Sequence, residues 1–393
     1  MDRITRVRIK NVRAIEDVEL VLGKPLTVLI GENGSGKSTI LECLELLRRA
    51  AEPNFMSQFY EVHRGMPALL RKGATSLTLG VTVEDDAGKQ PRLDYQFTLQ
   101  AQGAGASISA ESLNVLEPAG TTDAVARTHD LYAMRLGARP ERLTLAGSHP
   151  LMPEDAASRL RSMLSGIEVH LGFDTRASWA ARADQRPESL RVSLPHSPAP
   201  RLNLLDAILA NAWSALRNRP SAHWEYSLAL VRLGLGERVD NVLAIPDAGG
   251  GNIHLALRFK GIDEPIFAAD LSDGQLSWLA FVAMTRLHEG RSLLAVDETA
   301  LHLHPALLGR VVVLLQELSA PSIVATHADR VLELLDDPID ALRVCEVEHD
   351  GQILVSRLDA AVLPRWLQEF GDLGGIRAAG YLSRVVEAPR GLA

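Results

Sequence analysis

The sequence predicts an α/β fold with an N-terminal antiparallel β part, a parallel β core flanked by helices, and an inserted, mainly helical region. Three observations predict it. The apolar run Leu26-Thr27-Val28-Leu29-Ile30 leads into a glycine-rich loop and then a helical pattern. Such an unbroken apolar run suits a strand buried on both faces. From about residue 252 to about 335, strand-like and helix-like patterns alternate, as in parallel strands with crossover helices. Near the N-terminus, Thr5, Val7 and Ile9 alternate with Arg6, Arg8 and Lys10, the period of two of a half-buried strand.

The remaining elements follow in order. The first 30 residues read as two strands, around Thr5–Lys10 and Leu26–Ile30. A helix over about Thr39–Ala50 carries Ile40, Leu41, Leu44 and Leu47 at helical spacing, with Cys43 on its apolar side as a core residue. Residues 77–83 and 92–99 flank the turn Asp85-Asp86-Ala87-Gly88 and predict a hairpin. Ala101 to Ala110 is small and Gly-rich and reads as a break, as do residues 118–123, 147–153 and 186–200. A helix is expected after Pro153, with Glu154 and Asp155 in its first turn. Another is expected with Leu202, Leu205, Leu209, Trp213 and Leu216 on one face. Asp240 to Asn252 reads as a second loop-rich break, and a helix over Leu276–Leu287 follows it. Asp350-Gly351 marks a turn between the strands at 344–347 and 353–355. The expected division is 1–105, 106–235 for the insertion, 236–345, and a C-terminal extension at 346–393.

Bulk properties narrow the function classes. The 393 residues are 46% apolar and 23% charged, ordinary for a globular protein that buries a full core. A net charge of −8 argues against bulk attraction to nucleic acid and confines any such contact to a local patch. Two cysteines, Cys43 and Cys345, exclude a disulfide framework and fit a reducing, cytoplasmic setting. No run of about 18 apolar residues predicts a spanning helix, and the N-terminus has no apolar signal region.

The chemistry is carried by a few segments. Gly31-Glu32-Asn33-Gly34-Ser35-Gly36-Lys37-Ser38 matches the phosphate-loop pattern in full. Its glycines let backbone N–H groups turn toward phosphate oxygens, and the helix beginning near Thr39 points its positive end at them. Lys37 adds a charge near the β- and γ-phosphates, and Ser38 can ligate Mg²⁺. These residues and Thr39 form the expected ATP site. Leu293-Leu294-Ala295-Val296 is an apolar strand ending in Asp297-Glu298. Asp297 is the expected second Mg²⁺ ligand and Glu298 the expected general base. His327 ends the strand-like run Ser322–Thr326, where it could orient water or contact the γ-phosphate, or be structural. Leu271-Ser272-Asp273-Gly274-Gln275 opens a helix, with Ser272 or Asp273 as its N-cap or as a second phosphate-facing helix end.

Taken together, these segments resemble the ABC-type ATPases. The phosphate loop, the Leu-Ser-Asp-Gly-Gln signature (the family has Gly at the Asp273 position), Asp297-Glu298 and His327 occur in the family's order. Ile9-Lys10-Asn11-Val12-Arg13-Ala14-Ile15 resembles the opening of the SMC/RecF/OLD branch. Leu301-His302-Leu303-His304-Pro305 is similar to the Leu-His-Pro of OLD-like AAA-type ATPases in that branch. The resemblance covers about residues 1–100 and 236–345. It implies an ATPase head in which two copies close around two ATP molecules. Ser272, Gly274 and Gln275 would then act on the nucleotide of the other copy, with Glu298, His327 and Lys37 catalytic and Arg13 a further nucleotide contact. His304 is expected to fix the loop before its helix. A Q-loop glutamine is open among Gln58, Gln96 and Gln100. Fewer residues follow 345 than the nuclease domain of OLD proteins needs, so an effector or nuclease partner is expected on a separate chain, in antiphage defence or DNA repair.

Three other readings stand beside this one. Arg3, Arg6, Arg8 and Lys10 could contact duplex phosphates, as in a RecF-like repair protein, or form a solvated strand face. A transporter ATPase subunit would place the signature much nearer Lys37. A scaffold that binds ATP without turnover would not need Glu298.

Overall fold

The computed structural model of the protein describes residues 2–63, 65–103, 105–117, 126–131, 142–147, 152–171, 205–246, 253–297 and 303–387. The chain divides into two compact units, Met1–Val169 with Gly290–Glu298 and Gln316–Ala393, and His170–Glu289 with Thr299–Leu315.

The first unit holds two six-stranded sheets. One is antiparallel. In it β1 (Asp2–Val12) lies between β2 (Ile15–Val21) and β4 (Ser76–Asp85). Next come β5 (Arg92–Gln102), β6 (Gly105–Leu116) and β7 (Ala126–Asp130). The other sheet has the order β15-β14-β3-β13-β12-β8. Its strands are β3 (Leu26–Gly31), β8 (Ile167–Leu171), β12 (Leu293–Asp297), β13 (Ser322–Thr326), β14 (Leu342–Val347) and β15 (Ile353–Arg357). β14, β3, β13 and β12 run parallel, and β15 pairs antiparallel with β14. Every residue of β3, β12 and β13 is buried, as expected for strands covered on both faces.

Helix α1 (Lys37–Arg49) touches strands of both sheets, β1 and β4 in one and β3, β12 and β13 in the other. A helix so placed needs apolar side chains around most of its girth. Ile40, Leu41, Cys43, Leu44, Leu46 and Leu47 are all fully buried. Helix α2 (Phe55–His63) follows, and Phe55 meets Phe97 edge-on at 5.3 Å. Helix α3 (Glu154–Ser165) starts where Pro153 predicts, with Glu154 and Asp155 in its first turn.

In the second unit, β9 (Val239–Pro246), β10 (Ile253–Phe259) and β11 (Ile266–Phe267) form an antiparallel sheet. The helices are α4 (Leu205–Arg217), α5 (Ser221–Leu235) and α6 (Asp273–Arg286). The Trp278 indole donates to the Leu230 carbonyl at 3.1 Å. A Cβ on Gly234 would lie 2.2 Å from that indole nitrogen, so the α5–α6 crossing requires glycine there. Helix α7 (Pro305–Gln316) begins after His304, whose Nδ1 accepts from the Ala306 N–H at 3.2 Å. His304 is therefore a structural cap, as expected.

The fold class agrees with the sequence, while three expectations about elements do not hold. The break at Ala101–Ala110 is a tight hairpin, because β5 and β6 pair across Gly103, which has φ +62°. The antiparallel sheet therefore continues past residue 105. The described part of 106–235 is still mainly helical, with α3, α4 and α5 (Ser221–Leu235) beside β6, β7 and β8. Most of Asp240–Pro246 is strand, paired residue by residue with β10, and residues 247–252 lie outside the described residues. β2 is a third strand among the first 30 residues, with Ile15, Val18 and Leu20 buried and Glu16, Asp17 and Glu19 outward. In each case pairing with a neighbour overrides weak local β propensity.

A buried carboxylate ties β5 and β6 to the turn at Thr144–Leu145. Glu111 on β6 is 1% exposed. It accepts from the Tyr95 hydroxyl at 3.0 Å and from the Thr144 and Leu145 N–H groups at 2.7 and 2.9 Å. Burial pushes its carboxyl upward, and the three donors offset part of that. Replacing Glu111 with Leu strands all three donors. Denaturant unfolding of Glu111→Leu is expected to show a loss of about 3 kcal/mol, with Glu111→Gln losing less because one oxygen remains. A loss within about 0.5 kcal/mol would refute this role.

Candidate functional site

The site grows out of the carboxyl ends of adjacent parallel strands, where ligands of such sheets bind. The register aligns Asp297 of β12 with Ala325 of β13, and Thr326 of β13 with Ile30 of β3. Asp297 and Gly31 therefore end β12 and β3, and His327 follows the end of β13 between them. Beyond Gly31 the chain turns through Ser35 N–H to Glu32 carbonyl at 3.2 Å and reverses through Gly34 and Gly36, with φ +82° and +85°. Such angles strain any residue but glycine.

The loop then becomes α1. Gly36 is its N-cap and gives no side-chain cap, and the first turn carries no carboxylate. The first-turn N–H groups are thus left for an anion, and the helix dipole favours one. Arg48 and Arg49 occupy the last turn, where cations suit the opposite pole.

Lys37 is 5% exposed, and its ammonium donates to the Gly31 and Glu32 carbonyls, each at 2.9 Å, and to Ser35 Oγ at 3.3 Å. The charge is thereby folded over the loop. Ser38 Oγ donates to Asp297 Oδ2 at 2.6 Å, joining the phosphate loop to the end of β12. A hydroxyl and a carboxylate oxygen in contact are the hard donors that Mg²⁺ prefers. Asn33 and Gly34 complete the loop, and nothing lies within 4 Å of where a Gly34 Cβ would be.

Arg13 is held close by. It sits in the β1–β2 turn at φ +50°, unusual for a residue that is not glycine. Its guanidinium donates to Thr39 Oγ1 at 3.2 Å and to both carboxylate oxygens of Glu42, at 3.0 and 2.8 Å. A strained backbone that carries an arginine to the start of α1 marks a constrained position.

Among the other expected residues, His327 is exposed just after β13, and its carbonyl accepts from Arg377 Nη1 at 2.8 Å. Glu298 lies outside the described residues, as do Thr299 to His302. In the second unit, Ser272 is the N-cap of α6, with Gln275 completing a capping box. Ser272 Oγ accepts from the Gln275 N–H at 3.3 Å, and Gln275 Oε1 accepts from the Ser272 N–H at 2.9 Å. Asp273 is the first helical residue, so Ser272 is the cap of the two alternatives. Gly274 lies in the first turn between them. Gln96 and Gln100 lie on β5 and Gln58 on α2, and nothing in their placement selects one as a Q-loop residue.

The basic cluster is matched by carboxylates. Arg6 and Arg8 donate to the two oxygens of Glu19 on β2 at 2.8 and 3.0 Å. Lys10 lies 3.4 Å from Asp17, and Arg3 lies 3.6 Å from Asp86. Arg6, Arg8 and Lys10 thus lie on a solvated strand face laced by cross-strand ion pairs, while Arg3 is more buried.

Sequence reasoning missed Arg377. Nothing local marks it; only the folded contact with the loop after β13 does.

Comparisons with known proteins agree with this geometry. A family model described as "AAA domain" matches residues 6–61. A second, described as "AAA domain, putative AbiEii toxin, Type IV TA system", matches residues 152–333. An OLD nuclease from Thermus scotoductus is 43% identical over 54 residues, which is 14% of this chain and only 10% of that protein. Among solved structures, the SmcHead bound to the C-winged helix domain of ScpA superposes with a TM-score of 0.54 at 15% identity. That match covers 91% of this chain and 99% of the other. The Smc head domain with an extended coiled coil bound to the C-terminal domain of ScpA, derived from Pyrococcus furiosus, also gives 0.54, at 13% identity. It covers 94% of this chain and 99% of the other. No helix among the described residues is long and apolar enough to cross a membrane.

Proposed function

Since the chain is an ATPase head of the ABC/SMC/OLD-like group, we propose that it binds ATP on Gly31–Ser38 and Thr39, hydrolyses it, and closes as a homodimer around two nucleotides. The observation that carries the reading is the 2.6 Å contact of Ser38 Oγ with Asp297 Oδ2 beside the folded-over Lys37. These are the groups an ATPase brings to the phosphates.

Gly34, Gly36 and the α1 terminus cradle the phosphates through backbone N–H groups. Lys37 exchanges its loop carbonyls for β- and γ-phosphate oxygens. Ser38 and Asp297 hold Mg²⁺, which, when bound, neutralises charge that develops on the transferring phosphoryl group. Glu298 follows Asp297 directly and accepts the proton of the attacking water. His327 orients that water or contacts the γ-phosphate. Arg13, anchored by Glu42, adds a cation at the start of α1.

Ser272, Gly274 and Gln275 act in trans. The capping box pre-orders the α6 terminus, whose positive end then meets the γ-phosphate of the second copy. Closure around ATP and reopening after hydrolysis gate an effector or nuclease on another chain, in antiphage defence or DNA repair. The toxin–antitoxin description of one matching family model and the partial likeness to an OLD nuclease support that role.

Mixing two inactive proteins tests the composite site. Lys37→Ala removes a phosphate loop and Ser272→Arg blocks a signature. Each alone is expected to lose ATPase activity. Mixed, they form heterodimers with one intact composite site, so activity returns. Ser272→Arg turning over ATP at the wild-type rate would rule out the trans assignment. Absence of ATPase activity in the wild-type protein with Mg²⁺ would rule out hydrolysis.

A further inference from the structure

The C-terminal segment reaches back to the nucleotide site through one side chain. After β15, helices α8 (Leu363–Phe370) and α9 (Leu373–Ala378) follow. The segment is tied to the sheet edge by the Asp359 N–H to Val385 carbonyl bond at 2.8 Å and the Glu387 N–H to Arg357 carbonyl bond at 2.8 Å. Asp372 caps α9 by accepting from the Gly375 N–H at 2.7 Å. Ile376 and Leu373 are buried, as are Val331 and Leu332 in the short 3-10 helix Asp329–Leu334 that follows His327. The two short helices pack on one another.

Arg377 projects from this contact. Its Nη1 donates to the His327 carbonyl at 2.8 Å and also to Asp329 Oδ1. Its Nη2 lies 4.0 Å from Glu32 Oε1 in the phosphate loop. The guanidinium is only 15% exposed, whereas the Glu32 side chain is 92% exposed. One cation thus holds the main chain at the end of β13 and stands beside the phosphate loop. On the other side of His327, Thr326 Oγ1 accepts from the Ala328 N–H at 3.1 Å. The loop is clamped on both flanks of the histidine.

We infer that Arg377 is a positioning residue for the proposed ATPase reaction: it fixes the backbone of the His327 loop beside the phosphate loop, so that the C-terminal segment sets where His327 stands at the γ-phosphate end of the site. The inference rests on the ATPase reading. Arg377 touches neither nucleotide nor water in this role and acts through His327. Small misplacement of an orienting group costs rate more than binding. Both hydrogen bonds leave from one nitrogen, so a lysine ammonium can replace them in part.

The test combines kinetics with hydrogen exchange on the full chain. Arg377→Ala is expected to lower kcat about tenfold while KM for ATP stays within about twofold. Amide exchange at residues 327–334 should quicken in the absence of nucleotide, with β3 and β13 still protected. Arg377→Lys should recover part of both losses. Arg384→Ala is the control. Arg384 lies over the Tyr381 ring at 5.2 Å in the same segment, and its loss should leave both readouts unchanged. Unchanged exchange at 327–334 in Arg377→Ala overturns the inference whatever the ATPase result. So does a change in KM alone, or an equal fall in Arg384→Ala, which would mark a general effect of the segment. If the wild-type protein hydrolyses no ATP, the ATPase reading fails, while the exchange data still decide whether Arg377 clamps the loop.

Discussion

Glu298→Gln is expected to abolish ATP turnover while leaving ATP binding intact, and to accumulate the closed dimer. The two side chains are nearly isosteric, so the change removes basicity and little else. Glu298 follows Asp297, the buried end of β12, whose Oδ2 accepts from Ser38 Oγ. Asp297 has its oxygen turned to the phosphate loop, and the proposed base is the acid next in sequence. A positioned general base contributes about 10²- to 10⁴-fold, so single-turnover hydrolysis should fall by about that factor. Titration with a fluorescent ATP analogue should give a dissociation constant within about threefold of wild type, as expected for a group that acts only in the chemical step. Trapping the ATP state should also shift the protein to the dimer in light scattering, because closure is then no longer reversed by hydrolysis. Wild-type turnover in Glu298→Gln would remove Glu298 as the base. The trapped protein is also the form with which a partner chain is best captured.

The sequence is most legible where each position carries its own chemistry. Gly31 to Ser38 can be read residue by residue because φ, charge and hydroxyl are needed at fixed places, and the folded loop keeps them there. β3 shows as an apolar run because it is covered on both faces and paired on both edges. Ser272 and Gln275 show as a cap because a capping box is local. β2, β6 and β9 are harder to see. Their outward residues are acidic, small or amidic, and only the neighbouring strand supplies what makes them strands. The pairing of Arg6 and Arg8 with Glu19 is similar. The sequence shows the cations, but register across the β1–β2 turn decides that one carboxylate meets both. Arg377 has no local signal at all, since its partners lie in the phosphate loop and after β13. Long-range contacts of this sort follow from topology, which no window of residues contains.

The same topology leaves no room for a side chain at Gly31. β3 pairs with β14 on one side, in a register that puts Cys345 opposite Gly31. A Cβ at residue 31 would stand 2.2 Å from the Cys345 carbonyl oxygen and 2.6 Å from Ser35 Oγ. The first obstacle is backbone in a central strand, which moves only if β14 parts from β3. The second is a buried hydroxyl that takes part in the Lys37 network. Gly31→Ala therefore has no cheap relaxation. It is expected to cost about 3 kcal/mol of stability, at the upper end of ordinary overpacking. It should also shift the Gly31 carbonyl that Lys37 binds at 2.9 Å, and so weaken ATP binding at least about tenfold. Gly34→Ala is the informative comparison. Its Cβ would meet nothing within 4 Å, but φ +82° strains the new residue. That cost is about 1–2 kcal/mol and comes without displacing β14. Denaturant unfolding of both variants, beside titration with the ATP analogue, separates the two effects. A stability loss in Gly31→Ala no larger than that in Gly34→Ala would show that the Cys345 carbonyl does not oppose a side chain at 31.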